Sequence, residues 1–130
     1  MGRGKEEGLF LDLKARGASA EGIEKLFPPP AYFVAYVDGA GIPDKAGLMA
    51  ALAAAFRFPA YFGRNWDALL DCLRSLPGEI PAEGYVLAVR NSASFLASSP
   101  KDLEDFAFIA GEARSFLQDK FKAGFVVVLL

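Results

Sequence analysis

The sequence of 130 residues contains no histidine and a single cysteine, Cys72. Without histidine, the chain lacks the side chain that proteins use most often as a general base and as a zinc ligand. A single cysteine also excludes a disulfide bond within the chain. We therefore expect this protein to have no metal site and no cofactor.

Long apolar runs and a strong net charge are missing as well. With no run of membrane-spanning length and no recognisable signal peptide, we expect a cytoplasmic protein without membrane contact. The net charge of −2 does not favour direct binding of nucleic acid, which calls for a basic face. Because 53% of the residues are hydrophobic, with twelve Phe, the composition predicts a folded domain with a substantial core.

Residues 1–30 differ in character from the remainder of the chain. Their charges cancel, and Pro28 to Pro30 predict an extended linker. We predict an N-terminal extension over residues 1–30 and one domain over residues 31–130. Within the extension, Met1 to Gly8 is expected to be disordered, Leu9 to Leu13 fits a short strand, and Ser19 to Phe27 fits a short helix capped by Ser19. The alternative to a separate role for this extension is a packing arm or poorly ordered leader without a role of its own.

Apolar strands alternate with helices through the predicted domain. Strands are expected at residues 31–38, 85–89 and 125–130, and helices at 44–56, 65–75 and 99–123. Asp44 and Ser99 are expected to cap helices, while Pro77-Gly78 and Gly124 are expected to end them. Because helical crossovers join parallel strands, this order predicts an α/β fold with a small three-stranded parallel sheet packed with helices.

The stretch from Pro59 to Leu73 reads as a turn followed by a helix that Asn65 caps. At about 100° per residue the helix separates two faces. The core face carries Leu69, Cys72, Leu73 and Leu76, the opposite face carries Asp67, Asp71 and Arg74, and the flank carries Trp66 and Leu70. Large apolar side chains beside an exposed acidic pair indicate a surface for a protein partner.

Two alternatives apply to the acidic pair. The aspartates are either solvated carboxylates of an ordinary helix face, or the acid and base of a small hydrolase. Asp67 and Asp71 are expected on one open face without the enclosing pocket that acid–base catalysis requires, and Cys72 is interpreted as a small buried side chain. We therefore expect a protein that is not an enzyme.

This stretch closely resembles a known family. The residues that carry the resemblance are Tyr61-Phe62-Gly63-x-Asn65-x-Asp67-Ala68-Leu69-x-Asp71-Cys72-Leu73. They resemble the central segment of the barstar family of intracellular inhibitors of the ribonuclease barnase. The resemblance extends more weakly over residues 31–130 and does not cover the first thirty. It implies a barstar-like fold that is monomeric when free and binds the cationic active site of a cognate ribonuclease through an acidic helix.

The resemblance also implies roles for single residues. Asp71 matches the central acidic contact, Asp67 and Asn65 match neighbouring polar contacts, and Tyr61, Phe62 and Gly63 match a loop on the ribonuclease surface. A further acidic contact from the last helix falls at Asp119, with Gln118 as the alternative. Adding the flank and stripe residues completes the predicted surface with Trp66, Leu70 and Arg74.

Some residues depart from the family's pattern, and these departures indicate what kind of partner the chain binds. Arg64 stands where an acidic residue would favour a basic partner, Trp66 and Leu70 exchange the family's order of sizes, and Arg74 adds positive charge. A cognate nuclease with a partly acidic rim therefore fits better than barnase itself. The alternative function is a regulator or scaffold of the barstar fold that binds protein without inhibiting a nuclease.

Overall fold

The structure is a computed structural model that describes residues 6–16 and 20–130. The expected disorder of Met1 to Gly8 lies outside the described residues for residues 1–5, and it is wrong for residues 6–8, where the backbone N–H of Leu9 donates to the carbonyl of Glu6 at 3.0 Å. The cap at Ser19 also lies outside the described residues. The strands are β1 (Phe10–Asp12), β2 (Tyr32–Asp38), β3 (Gly84–Arg90) and β4 (Gly124–Leu129). The α-helices are α1 (Ala20–Leu26), α2 (Lys45–Ala55), α3 (Trp66–Arg74), α4 (Leu76–Glu79) and α5 (Pro100–Phe121).

The sheet is parallel throughout, and its strands lie in the order β1, β4, β3, β2. The prediction of three strands was therefore wrong by one, although the α/β class with helices on a parallel sheet is confirmed. The fourth strand comes from the extension, where Phe10 pairs with Val127 along the outer edge of β4. The backbone N–H of Leu13 donates to the carbonyl of Leu129 at 2.8 Å and continues this pairing.

Apolar side chains cover both faces of the sheet. On one face, α2, α3 and α5 contribute Leu52, Leu69 and Phe106 to the main core. On the other face, Ile23 of α1 packs with Val86 and Val128. Burial on both sides explains why the strands are apolar at successive positions instead of alternating with polar residues.

The N-terminal segment is therefore packed against the sheet wherever the structure describes its core-facing side chains. Leu9 and Ile23 are fully buried. The hydroxyl of Tyr36 on β2 also donates to Glu24 of α1 at 3.4 Å. A division of the chain into folding units at residue 30 stays a prediction.

Helix boundaries were predicted well where a side chain caps the backbone. Asp44 caps α2 by accepting from the backbone N–H of Gly47 at 3.1 Å. Ser99 precedes α5, but its side chain makes no capping hydrogen bond. Asp102 in the first turn of α5 instead accepts from the backbone N–H of Lys45 at 2.8 Å, which joins the starts of α2 and α5.

α3 ends at its C-cap residue Ser75 as predicted, but the residues expected to end the two helices lie elsewhere. Pro77 and Gly78 lie inside the short helix α4, where proline in the first turn lacks only an N–H that would have no partner within the helix. α5 ends before Gly124, which is already the first residue of β4. The left-handed residue after α5 is Lys122, with φ of 56°.

No helix among the described residues is both long enough and apolar enough to cross a bilayer.

Candidate functional site

Asn65 begins α3, as its position in the sequence predicts. Its side-chain oxygen accepts from the backbone N–H of Ala68 at 2.8 Å. Its amide nitrogen also donates to the carbonyl of Gly63 at 3.4 Å. One side chain therefore ties the preceding loop to the first turn of the helix, which fixes the position of the residues on either side.

The loop before α3 has two residues in the left-handed conformation. Arg57 and Arg64 have φ of 58° and 56°. Non-glycine residues adopt this conformation uncommonly, and it costs free energy that the surrounding packing must offset. The N–H of Phe62 donates to the carbonyl of Pro59 at 2.9 Å and closes the turn between the two arginines. The tight bend thus falls at Arg64 as well as at Gly63.

Tyr61 and Phe62 were predicted as neighbouring surface contacts, and the structure separates them. Tyr61 is 86% exposed, whereas Phe62 is 9% exposed and belongs to the core. The ring of Phe62 packs edge-on against Phe58 at 5.0 Å between centroids. The assignment of Phe62 to an exposed contact surface is therefore corrected, because the turn directs its ring inward and leaves Tyr61 and Gly63 outside.

Asp67 and Asp71 lie one turn apart on the exposed face of α3. Leu69 and Leu73 are buried on the opposite face, as predicted. Cys72, predicted on the core face, and Arg74, predicted on the exposed face, are both half-buried instead. Neither carboxylate forms an ion pair or accepts a hydrogen bond from any described residue. Both oxygens of each aspartate are therefore free to accept hydrogen bonds from an approaching cation.

Trp66 and Leu70 are half-buried on the flank of α3 and pack against the main core. The amino group of Lys45 lies 5.6 Å from the centroid of the Trp66 ring, within range of a cation–π interaction. Both side chains thus pack against the core and also form part of the surface. Neither is a fully exposed contact residue.

Arg74 is half-buried at the end of α3, where its guanidinium carbon lies 5.2 Å from the centroid of the Phe116 ring on α5. Asp119 and Gln118 are both exposed in the last turn of α5. Because α3 packs against α5, the predicted residues of both helices lie on neighbouring elements. The same end of α5 forms a shallow depression with Glu7 and Arg114, so the N-terminal segment reaches the vicinity of Asp119.

A cleft of about 170 Å³ lies between the loop and α3, and it was not predicted from the sequence. Phe58 and Tyr61 line one side, and Asp71, Cys72 and Glu79 line the other. Burial raises the pKa of the Cys72 thiol, and the nearby carboxylates of Asp71 and Glu79 raise that pKa further. Glu79 enters the cleft because α4 continues past Pro77, which the sequence pattern did not indicate.

A larger groove of about 640 Å³ lies elsewhere, between β1 and the start of α5. Phe10, Phe95 and Leu103 contribute to its mainly apolar lining, and none of the predicted site residues takes part. The acidic face of α3 thus remains the surface on which the predicted residues meet.

The polar groups at this surface can take part in binding. Among residues 6–16 and 20–130, no group of three or more Cys, Asp or Glu side chains is placed to hold a metal ion. The surface offers two carboxylates without ion pairs, a phenol, and half-buried apolar groups. Such a set suits a cationic protein surface.

Comparison with known proteins identifies the family to which this chain belongs. No curated protein matches the chain. The family model described as Barstar (barnase inhibitor) matches residues 32–129, which include the whole of the loop and α3. This chain therefore belongs to the barstar family.

Proposed function

We propose that this protein inhibits a cognate ribonuclease by covering the enzyme's cationic active site with the acidic face of α3. The observation that carries the proposal is the pair Asp67 and Asp71, exposed one turn apart and without an ion pair to any described residue. Ribonuclease active sites carry cations that hold RNA phosphates. Two carboxylates at helical spacing can occupy phosphate positions and pair with those cations.

In the free protein, repulsion between Asp67 and Asp71 slightly destabilises α3. Like charges at i and i+4 destabilise a helix by a few tenths of a kcal/mol, or roughly 0.2–0.5. A cationic partner reverses that cost, because each aspartate then faces an opposite charge. The Asn65 cap and the hydrogen bond from Phe62 to Pro59 hold the adjoining loop in place, so little ordering is required on binding.

Inhibition by occlusion requires no catalytic group on the inhibitor. We propose a one-to-one complex between a monomer of this chain and the nuclease in the cytoplasm, as in an antitoxin paired with its toxin. Tyr61, Gly63 and Asn65 would contact the nuclease beside the aspartates, and Trp66, Leu70, Arg74 and Asp119 would border them. No nucleic acid or membrane takes part directly.

The test is to capture the partner and assay it. Tagged wild-type protein retains proteins from a lysate of the source cells, and the retained protein is tested for RNase activity on a fluorogenic RNA. We expect a stoichiometric loss of RNase activity when the wild-type chain is added back. Asp71→Ala should restore most activity, whereas Glu104→Ala, which removes an equal charge from an exposed site on α5, should inhibit like the wild type.

The alternative function predicts a different result. A regulator or scaffold of the same fold would retain a protein without RNase activity, or would bind a ribonuclease without reducing its rate. Either result, with binding that depends on Asp71, would replace inhibition by a scaffold role. RNase activity of the purified chain alone would contradict both.

A further inference from the structure

Arg74 is a half-buried cation that pairs with no anion in the part of the chain that the structure describes. It ends α3, one turn after Asp71. Its guanidinium is stacked over Phe116 at 5.2 Å, and its Nε is buried without a hydrogen-bond acceptor. No carboxylate of a described residue lies within 4.0 Å of its nitrogens.

Other cations of the chain are satisfied in ways that Arg74 is not. The half-buried Arg114 donates to the carbonyl of Phe125 at 2.9 Å. Lys101 pairs with Glu104 and Asp105 on the surface of α5. Arg57 and Arg64 are exposed, so bulk water solvates them. Arg74 alone among these combines partial burial with a buried donor that no acceptor meets.

The geometry of Arg74 suits recognition of a carboxylate. A guanidinium presents parallel N–H groups that bind a carboxylate in a bidentate manner, and the contact of its central carbon with the Phe116 ring restrains its position. Of its three nitrogens only Nε is buried without a partner, so the two terminal nitrogens remain accessible. Because the side chain is already ordered, little conformational entropy is lost when it binds.

The charged residues around Arg74 determine which kind of anion it can bind. Asp71 lies one turn from Arg74 and Asp67 lies two turns away, and both repel a polyanion such as RNA. A single carboxylate set among cations on a protein surface matches this pattern of charge. We propose that Arg74 is a specificity-determining residue that binds an acidic residue at the rim of the partner's active site.

This inference rests on the proposed function and deepens it. Asp67 and Asp71 would supply attraction for any cationic active site, whereas Arg74 would reject nucleases whose rim is basic at the facing position. Repulsion of the wrong partners is a common source of specificity between related complexes. The cognate nuclease would thus be recognised by one acidic residue beside its phosphate-binding cations.

A selection with a defined probe tests the proposal. Catalytically inactive barnase, the target named by the family description, is displayed on yeast with the positions around its active site randomised. The library is sorted against wild-type chain, Arg74→Glu, Arg74→Gln, Asp71→Ala, and the control Arg90→Glu. Arg90 is an exposed arginine at the end of β3, so its reversal makes the same change in net charge elsewhere.

We expect the wild type and Arg90→Glu to enrich Asp or Glu at one or more rim positions by about tenfold or more over the unsorted library. Arg74→Glu should enrich Lys or Arg at the same positions, and Arg74→Gln should lose the acidic preference. Denaturant titration of each bait confirms that it is folded before sorting.

The outcomes separate this inference from the proposed function. Binders that depend on Asp71 but show no acidic enrichment would overturn the role of Arg74 alone, as would equal enrichment with Arg74→Glu. An absence of binders that depend on Asp71 would overturn the proposed function and this inference with it.

Discussion

Asp71 occupies the middle of the exposed face of α3, between the first turn and Arg74. A central position favours exclusion of water when a partner binds, and charge pairs gain most where water is excluded. Truncation there would remove an attraction and leave cations of the partner buried without a counter-charge. Asp67 and Asp119 lie nearer the ends of their helices, where solvent screens a charge more effectively.

We expect Asp71→Ala to weaken binding of the captured nuclease by about 3–5 kcal/mol, the range for breaking a buried charge pair. Stability should stay level or rise by about 0.2–0.5 kcal/mol, because the repulsion with Asp67 disappears. Calorimetric titration measures the affinity and urea denaturation measures the stability. A larger loss of affinity in Asp67→Ala or Asp119→Ala would contradict the central role of Asp71.

Trp66 is half-buried against the core and also lies beside the acidic face. Truncation of a fully buried aromatic side chain costs about 3–5 kcal/mol, so we expect Trp66→Ala to lower the stability by roughly 1–3 kcal/mol. Affinity for the nuclease should fall as well, measured at a temperature where the variant is folded. Trp66→Phe serves as the control that keeps most of the packing. Normal affinity of folded Trp66→Ala would place this side chain in the core alone.

Cys72 reports on the electrostatics of the cleft. Burial, then Asp71, then Glu79 raise the pKa of its thiol. A raised pKa leaves less thiolate at pH 8, and only the thiolate is alkylated at a useful rate. We expect iodoacetamide to react more slowly with the native chain than with the urea-unfolded chain, with a midpoint at higher pH. Glu79→Gln should lower that midpoint. An equal or lower midpoint in the native chain would contradict the assignment.

At the scale of elements, α3 was predictable because its signals are local. The cap at Asn65 needs only Ala68, and the division between Leu69 and Asp71 follows from helical geometry alone. The burial of Phe62 was not predictable, since it depends on Phe58 and on a turn that gives Arg64 a positive φ. The short strand at Leu9 to Leu13 was predicted, but its place in the sheet was not, because its three residues join the sheet only by pairing with the distant β4.

The N-terminal elements complete the second face of the sheet. Ile23 of α1 is fully buried against Val86 and Val128, and Leu9 is fully buried beside β4. The matched family region begins at residue 32 and contains neither. We infer that residues 6–30 stabilise the domain, because without them the valines of the second face would meet water.

We expect Ile23→Ala to lower the free energy of unfolding by about 2–5 kcal/mol, as for other buried aliphatic side chains. Leu26→Ala is the matched control in the same helix, because Leu26 is 56% exposed, and it should change stability by less than about 0.5 kcal/mol. Urea denaturation of both variants and of the chain without residues 1–30 gives the comparison. A truncated chain as stable as the full chain would show that the extension is a separate arm.

At the scale of the whole molecule, the net charge is small, but acidic and basic residues occupy distinct positions along and beside α3. Asp71 lies in the middle of the exposed face and Asp67 in the first turn, while Arg64 precedes the helix in the loop and Arg74 ends it. Long-range attraction thus comes from a local pattern instead of from bulk charge. A partner approaching with its cations centred on α3 is attracted, whereas one displaced toward either end meets an arginine.

This pattern predicts how association depends on salt. The range of electrostatic attraction falls from about 30 Å at 10 mM salt to a few Å near 1 M. We expect the association rate constant with the captured nuclease to fall about tenfold or more between about 10 mM and 500 mM NaCl, because opposite charges steer the encounter. The dissociation rate should change much less, since desolvated pairs are poorly screened. Stopped-flow fluorescence of Trp66, the only tryptophan, measures both rates.

Two variants serve as controls for this prediction. Asp67→Asn combined with Asp71→Asn should make the association rate less dependent on salt, and Arg64→Gln should not. An association rate that is the same at all salt concentrations would show that shape alone brings the partners together.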